Sequence, residues 1–143
     1  MAMQSKHRIT RRVSRQIHVG NVPVGGDAPI SVQSMTNTET EDVDATVEQI
    51  QRIQKAGADI VRVAVPERKD TEALVEILDQ TRVPIVADVH FHHKRAPEAI
   101  EAGVHKIRLN PGNISHRDQA NPVTDACHDA KVPIRVGDHE AVP

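Results

Sequence analysis

At 143 residues, with 38% hydrophobic and 27% charged residues, the chain is one domain's worth of sequence. No apolar run approaches the roughly 20 residues that span a bilayer, so a transmembrane helix is excluded. A formal net charge of -2, one Phe and no Trp or Tyr argue against a single-strand nucleic-acid binder, and one cysteine cannot form an internal disulfide, which fits a reducing, cytoplasmic setting.

The first stretch is the most basic, with Lys6, Arg8, Arg11, Arg12 and Arg15 and no acid before Asp27. A cleaved targeting peptide is one reading. The favoured one is an integral β-hairpin, because Ile17-His18-Val19 and Val22-Pro23-Val24 flank the two-residue loop Gly20-Asn21. Met1 to Lys6 is expected to be a frayed end.

Ile30 to Thr36 reads as the first strand of a repeat. The helix after it carries Val43, Val47, Ile50 and Ile53 at helical spacing, has Glu41, Asp42 and Asp44 about its first turn, and stops at Gly57. A second strand, Asp59 to Val65, precedes a helix from near Asp70 that buries Leu74, Ile77 and Leu78. The third strand, Val83 to Phe91, places Asp88 and His90 on one face, since side chains in a strand alternate. A polar loop and a short helix with Pro97 in its first turn lead to Gly103. Strand four is His105 to Asn110, followed by the turn Pro111-Gly112-Asn113. Asn121-Pro122 reads as the start of a fourth helix with the apolar stripe Val123, Ala126, Cys127 and Ala130, and strand five is Val132 to Val136.

Strands alternating with helices at these intervals imply parallel βαβ units. An open doubly wound sheet should show a glycine-rich turn after its first strand, and Gln33 to Thr40 has no glycine. The expected fold is therefore α/β, a partial TIM-type (β/α) barrel of about five parallel strands and four helices preceded by the hairpin. A complete barrel takes about 250 residues. The expected layout of residues 1–143 is a basic N-terminus and hairpin (1–29), βα repeats (30–137) and a tail (138–143). The outer strands should have open edges, and the inner face should have nothing to pack against.

Strand parity then selects a site. With Asp88 and His90 inward, Arg62, the pair Arg108 and Asn110, and Arg135 supply inward polar groups from the other strands, with Gln33 on strand one. Ile134 and Val136 would pack outward under helices. Three inward arginines exceed what Asp88 can balance, which suggests an anion site, because guanidinium groups bind phosphate oxygens bidentately. Internal salt bridges with Asp88, Asp59 and helix acids are the plainer account. His90 and His92 would share a strand face, as in His-x-His metal sites, yet no further ligand cluster follows, so no metal is expected. His92 and His93 read as loop residues.

Several runs carry a family resemblance: Val19-Gly20-Asn21-Val22-Pro23, Val32-Gln33-Ser34-Met35-Thr36-Asn37-Thr38, Gly57-Ala58-Asp59-Ile60-Val61-Arg62, Ala87-Asp88-Val89-His90-Phe91 and Arg108-Leu109-Asn110-Pro111-Gly112-Asn113-Ile114. Together they resemble the N-terminal barrel domain of the 4-hydroxy-3-methylbut-2-en-1-yl diphosphate synthase (IspG/GcpE) family. The resemblance implies binding of 2-C-methyl-D-erythritol 2,4-cyclodiphosphate in a pocket lined by Arg62, Asp88, His90, Arg108, Asn110 and Arg135. It also implies a separate C-terminal domain with a four-iron four-sulfur cluster, and reductive ring opening driven by a ferredoxin or flavodoxin.

Two departures qualify the carry-over. The asparagine expected soon after the strand-five glycine is replaced in Gly137-Asp138-His139-Glu140, and the cluster domain's cysteine pattern is absent from these residues. The expectation is a truncated, inactive substrate-binding fragment with no cofactor of its own. Two alternatives stay open: a pterin- or phosphate-binding barrel of dihydropteroate synthase type, and a non-catalytic fragment that pairs its open edges with another chain, as a homo-oligomer would.

Overall fold

A computed structural model of the chain describes residues 10, 12–90, 92–110 and 117–137, without the side chains of 117–120. The expected frayed end, Phe91, the 111–113 turn and the 138–143 tail lie outside the described residues. The hairpin forms as read, with β1 (Ile17–Val19) antiparallel to β2 (Val22–Val24). Gly20, at φ +57, turns its loop and lies so close to the sheet that a Cβ there would sit 3.1 Å from both Pro84 and His105.

Five parallel strands follow in chain order: β3 (Gln33–Met35), β4 (Ile60–Ala64), β5 (Ile85–Val89), β6 (Lys106–Leu109) and β7 (Ile134–Val136). Between them run α1 (Val43–Lys55), α2 (Arg68–Gln80), α3 (Arg95–Ala102) and α4 (Arg117–Asp129), each packed beside the next. Among the described strands the order never reverses, so they form no switch point of the doubly wound kind. The architecture is a partial α/β barrel. No helix among the described residues is long and apolar enough to cross a membrane.

The two faces of the sheet bury different things. Outward residues Val61, Val63, Ile85, Ala87, Val89, Ile107 and Leu109 pack against Val47 and Ile50 of α1, Leu74 and Ile77 of α2, Ala96 and Ala99 of α3, and Val123 and Cys127 of α4. On the inner face Val19 packs on Ile60 and Val86, flanked by Val22 and Val24. The inner face is therefore not bare, as the strand count had suggested, because the hairpin covers its N-terminal end. Full burial of a valine such as Val19 contributes about 1.5–3 kcal/mol.

The helix starts follow side-chain acceptors. Asp42 Oδ1 accepts the Ala45 N–H at 3.2 Å to cap α1. Asp70, 3% exposed, accepts the Glu67 N–H at 3.0 Å, so α2 begins at Arg68 rather than at Asp70, and its other oxygen takes the Glu41 N–H at 3.1 Å. One buried carboxylate thus joins the loops after β3 and β4.

Several sequence boundaries need correction. Strand β3 is only Gln33–Met35, because Asp59 turns its carboxylate to the Val32 N–H at 2.8 Å in place of a ladder partner. Strand β5 stops at Val89, so His92, exposed in the following loop, shares no strand face with His90. Helix α4 starts at Arg117 and carries Pro122 inside it. Pro122 is exposed and, having no N–H, donates nothing to the preceding turn. Ala130 falls past the end of α4 and is exposed, not part of the stripe. Val136 is 59% exposed: it lies on the edge strand of the described sheet, with no described helix over it.

Candidate functional site

Register decides which inner side chains meet. Met35, Arg62, Val86 and Lys106 form one row across β3 to β6, and Ala64, Asp88, Arg108 and Arg135 form the next row toward the C-terminal ends of β4 to β7. His90 and Asn110 follow beyond the second row. The C-terminal end of a parallel barrel is where active sites form, because its loops and last strand residues converge there.

Asp88 is the centre of this group and is 1% exposed. Arg108, 2% exposed, donates from Nη1 to Asp88 Oδ1 at 2.9 Å and from Nη2 to the Gly137 carbonyl at 3.0 Å. Arg62 Nε lies 3.3 Å and His90 Nε2 3.4 Å from Asp88 Oδ2. Neither contact has hydrogen-bond alignment, and among the described residues Oδ2 accepts no hydrogen bond. Arg62 also points Nε and Nη2 at Met35 Sδ, 3.4 and 3.3 Å away, a soft and weak acceptor.

Of the six residues read from the sequence, Arg62, Asp88, His90 and Arg108 are in contact. Asn110 is buried on the same face beyond Arg108. Arg135 lies across from Arg108 in register but is exposed, and makes no ion pair with Asp88. Part of the expected internal salt-bridge network is present, then, and it engages Arg62 and Arg108. Asp59, by contrast, is spent on the backbone of Val32.

Lys106 was missed. It sits two residues before Arg108 on the same strand face, so the parity that selected Arg108 and Asn110 also selects it. Burial first, then the charges of Arg135 and Arg62, push its ammonium pKa below the usual lysine value. Among the described residues four basic side chains, Arg62, Lys106, Arg108 and Arg135, share the inner face with one carboxylate, Asp88. Such a surface favours an anionic ligand.

The rim is braced by the loop after β3. Thr40 donates to the Ala64 carbonyl at 2.6 Å, and Asn37 exchanges hydrogen bonds with Gln49 of α1. The buried Thr36 hydroxyl has no hydrogen-bond partner among the described residues.

A family model described as GcpE TIM-barrel domain matches residues 14–140. The chain belongs to this family. Curated relatives include 4-hydroxy-3-methylbut-2-en-1-yl diphosphate synthase (flavodoxin) from Pseudomonas paraeruginosa, 56% identical over 96% of this chain and 37% of the relative. The protein of the same name from Chromohalobacter salexigens is 58% identical over 96% of this chain and 36% of its own length. The chain thus spans little more than a third of these relatives. Among solved structures, dihydropteroate synthase from Yersinia pestis superposes with a TM-score of 0.66 at 15% identity, over 90% of this chain and 48% of that one. The enzyme from Xanthomonas albilineans gives 0.61 at 22% identity, over 85% and 48%. These two likenesses are of fold.

The iron-sulfur cluster that the family resemblance implies does not fit these residues. A cluster is held by several thiolates, and the one cysteine, Cys127, is buried in α4 with its thiol pushed up to about 11 by burial. Among the described residues no three His, Cys, Asp or Glu side chains gather as a metal site.

Proposed function

We propose that this chain supplies the substrate-binding part of a 4-hydroxy-3-methylbut-2-en-1-yl diphosphate synthase, and that Arg62, Asp88, His90, Arg108, Asn110 and Arg135 receive 2-C-methyl-D-erythritol 2,4-cyclodiphosphate. The observation that carries this reading is the inner-face cluster, an excess of cations around a single buried carboxylate. The guanidinium groups of Arg62 and Arg135 face the phosphoryl oxygens. Arg108, already held by Asp88 and the Gly137 carbonyl, presents its remaining N–H groups in a fixed direction. Asp88 Oδ2, without an aligned donor, accepts a ligand hydroxyl. Electrons for ring opening would come from a ferredoxin or flavodoxin by way of an iron-sulfur cluster, for which these residues, with Cys127 their one thiol, offer no ligand set.

The test is calorimetry with the cyclodiphosphate on the chain and on Arg108→Ala and Arg108→Lys. Loss of one charge-assisted contact should cost about 1.5–3 kcal/mol, with lysine a poor substitute because it lacks the fork. Unchanged affinity in both variants refutes the assignment, and preference for a pterin over the cyclodiphosphate supports the dihydropteroate-type alternative instead. Association of copies is a second proposal. It is favoured by Ile30 (85% exposed) and Val32 (53%) just before β3, by Met35 (37%) on β3 and by Val136 (59%) on β7.

A further inference from the structure

Lys106 is the inner-face cation that the reading above leaves unassigned. It stands in the row of Arg62 and Val86, one row below Asp88 and Arg108. Rows on one face of a strand are about 6.6 Å apart, within reach of a lysine's four-carbon stem, so its ammonium can rise to the level of Arg108. What surrounds it is either neutral or positive. Beside it in the row is Val86, which packs with Ile60 under Val19 of the hairpin. Arg62 faces it from β4, Arg108 from its own strand and Arg135 from β7. The nearby acid on β5, Asp88, is engaged by Arg108 at 2.9 Å and Arg62 at 3.3 Å. His90 also lies on Asp88, at 3.4 Å, and His105 faces away, with Nδ1 accepting the Ile85 N–H. No hydrogen bond or ion pair engages the Lys106 ammonium among the described residues.

We propose that Lys106 is a fourth cation of the anion site, one that takes up a proton as a diphosphate binds and thereby favours ligands with two phosphoryl groups over those with one. This rests on the substrate-binding reading above and adds a residue to it. Without a ligand, the apolar floor and the neighbouring arginines disfavour a charged ammonium. A diphosphate reverses the local field, so the charged form of Lys106 gains weight and contributes a charge-assisted hydrogen bond, whereas the arginines, already charged, bind without any proton change. A monophosphate satisfied by Arg62 and Arg135 leaves less negative charge for the floor.

Calorimetry of the 143-residue chain with pyrophosphate, inorganic phosphate and the cyclodiphosphate, each in two buffers of different ionisation heat, counts the protons exchanged. At mildly alkaline pH the wild type should take up part of a proton with pyrophosphate and with the cyclodiphosphate, and less with phosphate. Lys106→Met should abolish that uptake and weaken diphosphate binding by roughly tenfold, one charge-assisted contact's worth. Lys106→Arg should keep the affinity without the uptake. Wild-type binding of diphosphates with no proton uptake overturns the inference while leaving the substrate reading intact. So does undiminished uptake in Lys106→Met, which would assign the proton to another group such as His90. Failure of the folded wild type to bind either diphosphate overturns both.

Discussion

Replacing Asp88 with asparagine tests the charge arrangement at its centre. The substitution keeps the shape and removes the one carboxylate that the described residues place on the inner face, leaving Arg108 and Arg62 opposite a neutral amide. Breaking a buried ion pair by removing one partner costs about 3–5 kcal/mol, because the other charge stays buried. Arg108 is 2% exposed and cannot move into water, but the Arg62 side chain is 14% exposed and can rehydrate in part, which favours the lower end, about 3 kcal/mol. For a domain of this size each kcal/mol moves the midpoint by about 3–4 °C, so Tm should fall by roughly 10 °C. Circular dichroism melts at low ionic strength, with and without pyrophosphate, read this directly. Pyrophosphate should raise the Tm of Asp88→Asn more than that of the wild type, because its charge replaces the lost carboxylate. A variant melting within about 2 °C of the wild type would refute the reasoning.

Cys127, 2% exposed with its thiol pushed up to about 11, should be protonated and react slowly with thiol reagents at mildly alkaline pH; rapid native-state labelling would contradict its burial. Burial lowers the His105 pKa below 6.5, so the unfolded chain binds more protons there. Stability from this group is present above pH 6.5 and lost as pH falls through the folded value, so the urea midpoint should drop on acidification and His105→Gln should drop less steeply. An identical slope in both would remove the histidine from the account. Association through the β3 and β7 edges predicts concentration-dependent sedimentation, and a clean monomer with sharp, concentration-independent unfolding would exclude it.

The βα alternation was legible because period-two and period-3.6 patterns are local: Val43, Val47, Ile50 and Ile53 mark α1, and the Gly20-Asn21 loop marks the hairpin, before any tertiary contact is known. Parity also placed Arg62, Asp88, His90, Arg108, Asn110 and Arg135 on one face, since alternation in a strand is a property of the backbone. Lys106 obeyed the same rule and was passed over. Its setting depends on the hairpin, which is distant in sequence and covers the inner face through Val19, Ile60 and Val86. Only the tertiary structure decided how the charges pair. Sequence offers three arginines and one aspartate without saying that Arg108 is clamped between Asp88 and the Gly137 carbonyl while Arg135 stays exposed. It is likewise silent on the Asp59 carboxylate taking the Val32 N–H, which shortens β3. The physical reason is range. Periodicity is fixed by covalent geometry within a few residues, whereas the partner of a buried charge is fixed by strand register and by which segment excludes water.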